Sequence, residues 1–426
     1  MPVLIERINS ADDIEQRRAL QVLVQVVKAL STRRLSHDRL MFEQLTSNLY
    51  EFVIELWNGF TMLYFQNIQS GLALQICQSN LEKAMMVLRT LRKLTIYGFQ
   101  KPSQTPKPIN FLKTIFERIK DLLECRLRIK SAPFDYLPLL ERHEKFIIKH
   151  MKVLTEFQEF HRLVFIEFAP QVLETSFNYV FFEGSRLIFD GNQLSMPHLV
   201  IHCLNLIKGY LLNSTGNTYN NKPTDVENNL ADVLREFFTA DRLSFIMEKL
   251  LMHYFLLIPS DIERWEDDPE DYVTDEGGDS WKYSLRSCTE AFFMALFQKY
   301  HPILTPQLVD YIQKSQSLQL TPSSEINDIL IKESIYNAVG LTAFHLFDDV
   351  NFDNWFTSQL LYELKIQGSN FRVLRKRIIW MVGLWTGVKF SKSLRPMVYE
   401  ACLELLQPSE DLVVRLTAAK TLTVSY

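Results

Sequence analysis

The sequence is poor in the residues that form disulfide bonds, tight turns or membrane spans. Its 426 residues include 13 glycines and five cysteines, and the cysteines are widely spaced and form no C-x-x-C pair. This usage argues against a disulfide framework and for a reducing compartment. No apolar run approaches the ~20 residues that a membrane span needs, and the first residues lack a charged-then-apolar signal pattern. We therefore expect no membrane insertion.

Motifs for catalysis, nucleotide binding and metal binding are also missing. There is no phosphate-binding glycine loop, no G-x-S-x-G and no H-E-x-x-H. His198 and His202 are four residues apart beside Cys203, a spacing that could place two metal ligands on one helix face. No further ligands accompany them, so we favour core or surface histidines. The near-neutral formal charge of −4 argues against bulk nucleic-acid binding. We predict a non-enzyme with no cofactor, no metal and no direct nucleic-acid contact.

What the chain does contain is a succession of amphipathic runs. In residues 11–30, apolar side chains recur at three- and four-residue spacing, as at Leu20, Leu23 and Val27, which predicts a helix. Repeated prolines in 100–108 and turn-forming polar residues in 213–225 predict linkers between helices. The same periodicity predicts helices near 3–8, 36–60, 80–97, 109–129, 137–157, 161–182 and 198–213, and two helices within 226–258 that are broken near 239–241.

The C-terminal third shows a recurrence. Four segments read LRSCTEAFF, IKESIYNAVGL, LRKRIIWMVGL and VRLTAAKTL, and each begins with an apolar and then a basic residue. The basic residues Arg286, Lys332, Arg375 and Arg415 are spaced by 46, 43 and 40. Two segments share a V-G-L triplet. A period of roughly 40–47 with two helices per unit is typical of HEAT repeats, in which stacked neighbours bury a continuous core.

This recurrence predicts the fold class. We expect an all-α, right-handed α-α superhelix, a HEAT-repeat solenoid of about eight helical hairpins in one continuous array. In the last unit, Asp411 stands where a carboxylate caps a helix start. Neither end shows the polar cap that terminal repeats need, so we expect a segment of a longer solenoid. A short protein with a modest cap is the alternative.

One stretch, Asp261–Asp279, concentrates acidic charge. It carries ten acidic residues and one basic residue, a net charge of −9 in a chain of −4. Like-charge repulsion and few apolar residues predict a solvated loop, given as 261–280, inserted within one repeat. Interleaved aromatics favour docking onto a basic partner, although an inert loop, a divalent-ion loop and a carboxylate active site are alternatives. The candidate partner-binding residues are Glu263, Trp265, Glu266, Asp267, Asp268, Glu270, Asp271, Asp275, Glu276 and Asp279.

A basic cluster in FRVLRKRIIW is the second candidate site. Its cations lie at a predicted helix start, where the helix dipole disfavours positive charge. An acidic group should compensate them: a carboxylate elsewhere in the chain, the acidic stretch itself, or a partner. The candidate partner-binding residues here are Arg372, Arg375, Lys376 and Arg377.

Several of these runs resemble one branch of the importin-β (karyopherin) family. They are IERWEDDPEDYVTDEGGDSWKYSLRSCTEAFF, FERIKDLLEC, LRTLRKLTIYGF, FRVLRKRIIWMVGLWTGVKF and LRPMVYEACLELL. The resemblance implies a nuclear import receptor that binds folded protein cargo, the GTPase Ran and FG-repeat proteins of the nuclear pore. It also implies a monomer that shuttles between cytoplasm and nucleus through the nuclear envelope. The chain would be a middle segment without the family's N-terminal Ran-binding region. A HEAT-repeat scaffold or regulatory subunit is the rival hypothesis.

Overall fold

A computed structural model describes residues 2–33, 35–132, 136–182, 189–190, 193–213, 225–275 and 284–425. By contact clustering the chain divides into two compact units, Met1–Gly209 and Tyr210–Tyr426, called unit 1 and unit 2 below. Each unit is described by itself.

Unit 1 is built from helical hairpins. It also has 3-10 turns at Pro102–Gln104 and Ile166–Phe168. An antiparallel pair of two-residue strands, β1 (Phe189–Asp190) and β2 (Gln193–Leu194), sets Phe189 opposite Leu194. The helices are α1 (Pro2–Ile8), α2 (Asp13–Ser31), α3 (Ser36–Gln69), α4 (Leu74–Tyr97), α5 (Pro106–Ser131), α6 (Leu137–Phe160), α7 (Arg162–Phe165), α8 (Ala169–Phe181) and α9 (Pro197–Asn213), the last of which runs past the unit boundary.

Local chemistry sets these helices and their packing. The Asp12 carboxylate caps α2 by accepting hydrogen bonds from the amides of Ile14 (2.8 Å) and Glu15 (3.4 Å). Helices α3 and α4 form one hairpin, α5 and α6 another, and α2, α4 and α6 pack side by side. Gly98 ends α4 as predicted, with φ −93°. Its need for glycine is steric, because a Cβ there would lie 2.1 Å from Thr46 Oγ1.

Unit 2 repeats this hairpin pattern. Two helices contain π-helical turns, at Leu250–Tyr254 and Phe356–Leu360, and a 3-10 turn covers Lys392–Leu394. The helices are α10 (Asp225–Phe237), α11 (Ala240–Lys249), α12 (Pro259–Asp267), α13 (Pro269–Asp275), α14 (Leu285–Ser317), α15 (Ile326–Leu341), α16 (Ala343–Leu346), α17 (Phe352–Trp355), α18 (Leu361–Glu363), α19 (Phe371–Thr386), α20 (Arg395–Leu405) and α21 (Leu412–Ser425). Helix α14 is bent at Tyr300 (φ −121°, ψ 24°), just before Pro302.

The four recurring sequence segments lie in α14, α15, α19 and α21, and these helices contact one another in that order. The glycines of the two V-G-L triplets allow this close stacking. A Cβ on Gly340 would lie 2.3 Å from Trp380 Cζ3, and one on Gly383 would lie 3.0 Å from Thr421 Oγ1. Each glycine therefore makes room for a side chain of the next helix in the stack.

The predicted helices are present, with some differences in their bounds. Helix α3 extends to Gln69, and α4 begins at Leu74. The predicted linker 100–108 is shorter, because its prolines at 106 and 108 lie in the first turn of α5, where a missing amide hydrogen costs nothing. Of the predicted linker 213–225, residues 214–224 lie outside the described residues. In the described part of the chain, no single helix is long and apolar enough to cross a membrane. One bent pair, Ala240–Tyr254 with Pro259–Asp267, meets the length and composition criteria at an angle of 49°.

Candidate functional site

The acidic stretch is helical as far as Asp275: two short helices, α12 and α13, cover residues 259–275, which we call the acidic segment. The expectation of a solvated loop was wrong for these residues. Pro259 opens α12, and the Asp261 carboxylate accepts a hydrogen bond from the Ile258 amide at 3.0 Å. The Asp268 carboxylate accepts one from the Asp271 amide at 3.2 Å, at the start of α13. Proline and acidic residues suit helix starts, so they initiate helices here.

The aromatic residues of the acidic segment point inward. Trp265 and Tyr272, seven residues apart, are 2% and 8% exposed, and their ring centroids are 5.2 Å apart. The Trp265 indole Nε1 donates to both carboxylate oxygens of Asp411, at 3.0 and 3.1 Å. Trp265 is therefore an anchor that fixes the acidic segment within unit 2, and its predicted contact with a partner stays a prediction.

The Asp411 carboxylate accepts hydrogen bonds from four donors. It accepts hydrogen bonds from the amides of Val413 (2.9 Å) and Val414 (3.4 Å), which confirms its predicted role as the cap of α21. It also accepts one from Arg372 Nη1 at 3.2 Å, in addition to the Trp265 indole. The start of α21 is thus the point at which the acidic segment and α19 meet.

Two further contacts fasten the acidic segment. Arg372 Nη2 donates to the Glu266 carboxylate, and its guanidinium lies 5.7 Å from the centre of the Trp265 ring. Lys420 Nζ, on α21, donates to the Val273 carbonyl at 2.8 Å. Sequence reasoning missed Lys420 and the link from Trp265 to Asp411. These partners are 147 and 146 residues apart, and no local pattern relates them.

The rest of the basic cluster is paired within the chain. Arg375 donates through Nε and Nη2 to the two oxygens of Glu410, both at 2.8 Å, and through Nη1 to the Ile366 carbonyl at 2.9 Å. Lys376 Nζ lies 5.7 Å from the centre of the Tyr272 ring. The sequence left three kinds of group open as compensation for the basic cluster: a carboxylate elsewhere in the chain, the acidic stretch, or a partner. The structure shows contacts of the first two kinds.

Arg377 belongs to a buried network that connects three helices. Its Nε donates to Glu333 Oε1 at 2.6 Å, and Arg286 Nη2 donates to the same oxygen at 2.7 Å. Burial opposes ionisation of Glu333, but Arg286 and Arg377 outweigh it and lower the pKa of this carboxyl. Network members on α14, α15 and α19 thereby hold the stack together.

Most of the second candidate site is buried. Arg375, Lys376 and Arg377 are 7%, 1% and 2% exposed. Buried charges of this kind satisfy partners inside the fold, and the role of these residues in partner binding stays a prediction. Arg372 is partly exposed, and it pairs with two carboxylates of this chain, Glu266 and Asp411.

The exposed side of the acidic segment remains as a candidate binding surface. Glu263, Asp267, Glu270 and Asp271 are exposed and form no ion pair with any residue that the structure describes. We call these four residues the outer carboxylates. Glu266 and Asp268 are also exposed, but one pairs with Arg372 and the other caps α13. The side chain of Asp275 is not among the described ones, and Glu276 and Asp279 lie outside the described residues.

The acidic residues differ in how far they are desolvated. Asp261, on the inner side, is half-buried, and burial raises the pKa of its carboxyl against the opposing effects of the Ile258 amide and Arg286. The outer carboxylates face solvent. Negative charge fixed on anchored helices creates a local potential that attracts cations and basic surfaces.

The histidine pair considered for metal binding lies on α9. His198 is exposed, and His202 is half-buried. Burial, with nearby Lys152 and His198, lowers the pKa of His202 to about 4. Among the described residues there is no group of three or more histidine, cysteine, aspartate or glutamate side chains placed to hold a metal ion.

Two solved structures establish the class of fold. A bidirectional nuclear transport receptor of S. cerevisiae, Lph2, superimposes with a TM-score of 0.79 at 21% identity, covering 99% of this chain and 41% of that one. The exportin Cse1 in its cargo-free, cytoplasmic state gives 0.67 at 13% identity, covering 99% and 43%. The chain is an all-α HEAT-repeat solenoid of the karyopherin type, which confirms the predicted fold class.

Sequence comparison gives the relatives of the chain. The chain is 40% identical over 430 residues to importin-11 of Mus musculus and of Homo sapiens, which covers 100% of the chain and 42% of each relative. It is 24% identical over 449 residues to the importin beta-like protein KAP120 of Saccharomyces cerevisiae, with 98% and 40% covered. No protein-family model matches the chain. The chain is similar to importin-11 and to an importin beta-like protein, and it spans less than half the length of these relatives.

Proposed function

We propose that the chain is part of a nuclear import receptor that binds protein cargo and the GTPase Ran and carries cargo through nuclear pores. The observation that carries this proposal is the 40% identity to importin-11 over the whole chain. In this proposal the receptor is a monomer that shuttles between cytoplasm and nucleus and contacts FG-repeat proteins at the nuclear pore. Its action is binding alone, with no catalytic step.

The acidic segment has a defined part in this proposal. The outer carboxylates bind a basic surface of a transport partner, either cargo or Ran. Support comes from the anchoring of the segment by Trp265, Arg372 and Lys420, which holds the carboxylates on helices before a partner arrives. Binding then orders few side chains, and the fixed negative charge accelerates encounter with a basic surface.

Transport requires that loading and release be coupled. Ran in its GTP state and cargo occupy the solenoid in a mutually exclusive way, so binding of one releases the other. Reciprocal coupling of this kind follows from linkage: if Ran weakens cargo binding by some factor, cargo weakens Ran binding by the same factor.

A pull-down tests the transport proposal. The full-length protein is immobilised and incubated with Ran locked in its GTP state, beside a karyopherin known to bind Ran as the positive control. Retention of Ran by both proteins supports the proposal. If only the control retains Ran, the transport function fails and a HEAT-repeat scaffold takes its place. Nuclear accumulation of cargo in cells lacking the protein gives an independent readout, because a scaffold would leave accumulation unchanged.

A charge-neutralised variant tests the acidic segment. Glu263→Gln, Asp267→Asn, Glu270→Gln and Asp271→Asn remove the outer carboxylates and leave the anchoring contacts intact. We expect this variant to bind a fluorescent lysine-rich peptide about tenfold more weakly at low salt, and the difference to shrink as salt rises.

The matched control removes the same number of exposed carboxylates elsewhere in unit 2. It is Glu236→Gln, Glu248→Gln, Glu325→Gln and Glu400→Gln, at positions that are all exposed. Thermal unfolding should be nearly the same for both variants, since isolated surface charges contribute little to stability. Equal peptide affinity in the two variants would show that the acidic segment has no binding role of its own.

A further inference from the structure

A second charged surface lies in unit 1, where α4 and α6 pack side by side. Ion pairs mark its two ends. At one end Glu82 of α4 accepts hydrogen bonds from Arg142 of α6 and Arg17 of α2. At the other, Glu156 of α6 lies 3.2 Å from Arg92 and 3.8 Å from Lys93. Because 82 faces 142 and 92 faces 156, the two helices run parallel along this seam.

The middle of the seam holds cations without carboxylates. Arg89 on α4 and Lys149 and Lys152 on α6 make no ion pair with any residue that the structure describes. Lys145 is also near, but it pairs with Glu141 on its own helix. We call Arg89, Lys149 and Lys152 the seam cations.

Lys149 shows how crowded this positive charge is. The residue is half-buried and has no carboxylate to compensate for lost hydration. Burial, followed by Arg89, Lys152, Arg92 and Lys145, lowers the pKa of its ammonium group to about 8. Leaving like charges together without an anion is unfavourable, so an anion that enters the seam is attracted by all of them.

We propose that the seam cations of α4 and α6 form a binding site for a short acidic peptide segment of a partner protein. This surface is distinct from the acidic segment of unit 2, and the proposal does not depend on the transport function. From 145 to 152 the basic stretch on α6 covers about 10 Å, at about 1.5 Å per residue, which suits two or three carboxylates of an extended peptide.

The ends of the seam favour a short peptide over a nucleic acid. At both ends of the basic stretch the cations are already paired, with Glu82 at one end and Glu156 at the other. A continuous polyanion that extended past the seam cations would meet only cations that already have a carboxylate, whereas a short acidic peptide ends between them. Charge complementarity therefore selects both the sign and the length of the occupant.

A peptide-binding experiment on the full chain tests the site. The probe is a fluorescent peptide rich in glutamate and aspartate, and its anisotropy is followed at low and at high salt. We expect binding that weakens as salt rises. Arg89→Glu, Lys149→Glu and Lys152→Glu together should weaken it about tenfold or more. The control, Lys113→Glu, Lys120→Glu and Arg128→Glu, makes the same charge change at exposed positions of α5 and should weaken it less than about twofold.

A measurement on the unsubstituted chain keeps the test independent of variant folding. Amine-reactive labelling, read by mass spectrometry, should be suppressed by the peptide at Lys149 and Lys152 and unchanged at Lys113 and Lys120. Absence of peptide binding at low salt, equal weakening in both triple variants, or unchanged labelling of Lys149 would each overturn the proposal. Preferential binding of single-stranded RNA over the peptide would overturn it in favour of a nucleic-acid site.

Discussion

Two groups of cations, one in each unit, are in opposite situations. In unit 2, Arg375 and Arg377 are buried and Arg286 is 12% exposed, and each meets a carboxylate from another element of the unit. In unit 1, exposed Arg89 and half-buried Lys149 make no ion pair with any residue that the structure describes. The role of a basic residue on a stacked helix therefore depends on its burial and on its ion-pair partners. Buried cations must be paired, so they stabilise the stack, whereas partly exposed ones can remain unpaired and bind a partner.

The largest effect is expected where the buried cations of unit 2 lose a carboxylate that they share. Glu333→Gln leaves Arg286 and Arg377 without their shared carboxylate in a site where Glu333 is 1% exposed. Breaking a buried ion pair by removing one partner costs about 3–5 kcal/mol. We expect a lower melting temperature and faster hydrogen exchange in α14, α15 and α19.

The control for this variant is Glu404→Gln. Glu404 is exposed and lies 3.8 Å from Lys365, a separation at which a solvated pair contributes little. If both variants melt at the same temperature, the buried network does not stabilise unit 2.

Acidification should destabilise unit 1 through its buried histidines. His143 is held between the Tyr64 hydroxyl and the Leu122 carbonyl, both at 2.7 Å, and burial lowers its pKa to about 4. Burial lowers the pKa of His150 to about 3. Between pH 6.5 and 4 the unfolded chain binds protons that the folded chain cannot bind. The free energy of unfolding therefore decreases as the pH is lowered through this range, by roughly 3 kcal/mol for each histidine.

Unit 2 should respond to acid later. The pKa of Glu333 is lowered from 4.5, so its contribution is complete above pH 4.5 and is lost only as pH falls below that value. Burial also lowers the pKa of His253 and His345, but both are partly exposed. Hydrogen exchange from pH 7 to 4 should show unit 1 opening first, and His143→Gln should delay it. Simultaneous opening of both units, unaffected by His143→Gln, would contradict this account.

Glycine substitutions compare the packing of the two units. Gly340→Ala places a methyl group 2.3 Å from the Trp380 ring, and overpacking of this kind costs about 1–3 kcal/mol. Gly59→Ala, in the middle of α3, meets nothing within 4 Å, and replacing a helical glycine there stabilises by about 0.5–1 kcal/mol. Urea unfolding of the two variants should shift in opposite directions; shifts of the same sign would contradict the proposed role of the V-G-L glycine.

The smallest effect is expected from removal of an unpaired cation of unit 1, and it is compared with removal of a paired cation of unit 2. Lys149→Gln removes an ammonium group whose pKa is lowered to about 8, so at pH 7 it should stabilise unit 1, by about 1 kcal/mol or less. The gain should vanish as pH rises from 8 to 10.5, where the unfolded chain alone binds the proton. Arg375→Gln should instead destabilise unit 2, because it leaves Glu410 without its bidentate partner. Thermal melts of both variants at pH 7 and 10 measure this difference, and loss of stability in both at pH 7 would contradict it.

The helices were predictable because their signals are local. Apolar spacing located α2 and α6, and the recurrence from Arg286 to Arg415 located the four stacked helices of unit 2. The cap at Asp411 was predictable for the same reason, since its hydrogen bonds reach only two and three residues along the chain. The acidic stretch was harder to predict, because we interpreted its interleaved aromatic residues as partner contacts, whereas Trp265 and Tyr272 are buried.

The sequence by itself determined the helical repeats, the resemblance to importin-11 and the places where charge accumulates, since each depends on short-range pattern or on similarity along the chain. Only the tertiary structure decided which of those charges are exposed and can contact a partner. Arg375 and Glu410 are 35 residues apart, Arg377 and Glu333 are 44 apart, and Trp265 and Asp411 are 146 apart. Burial and pairing are set by such distant contacts, so a run of charge reveals its sign but not whether it faces a partner or the core.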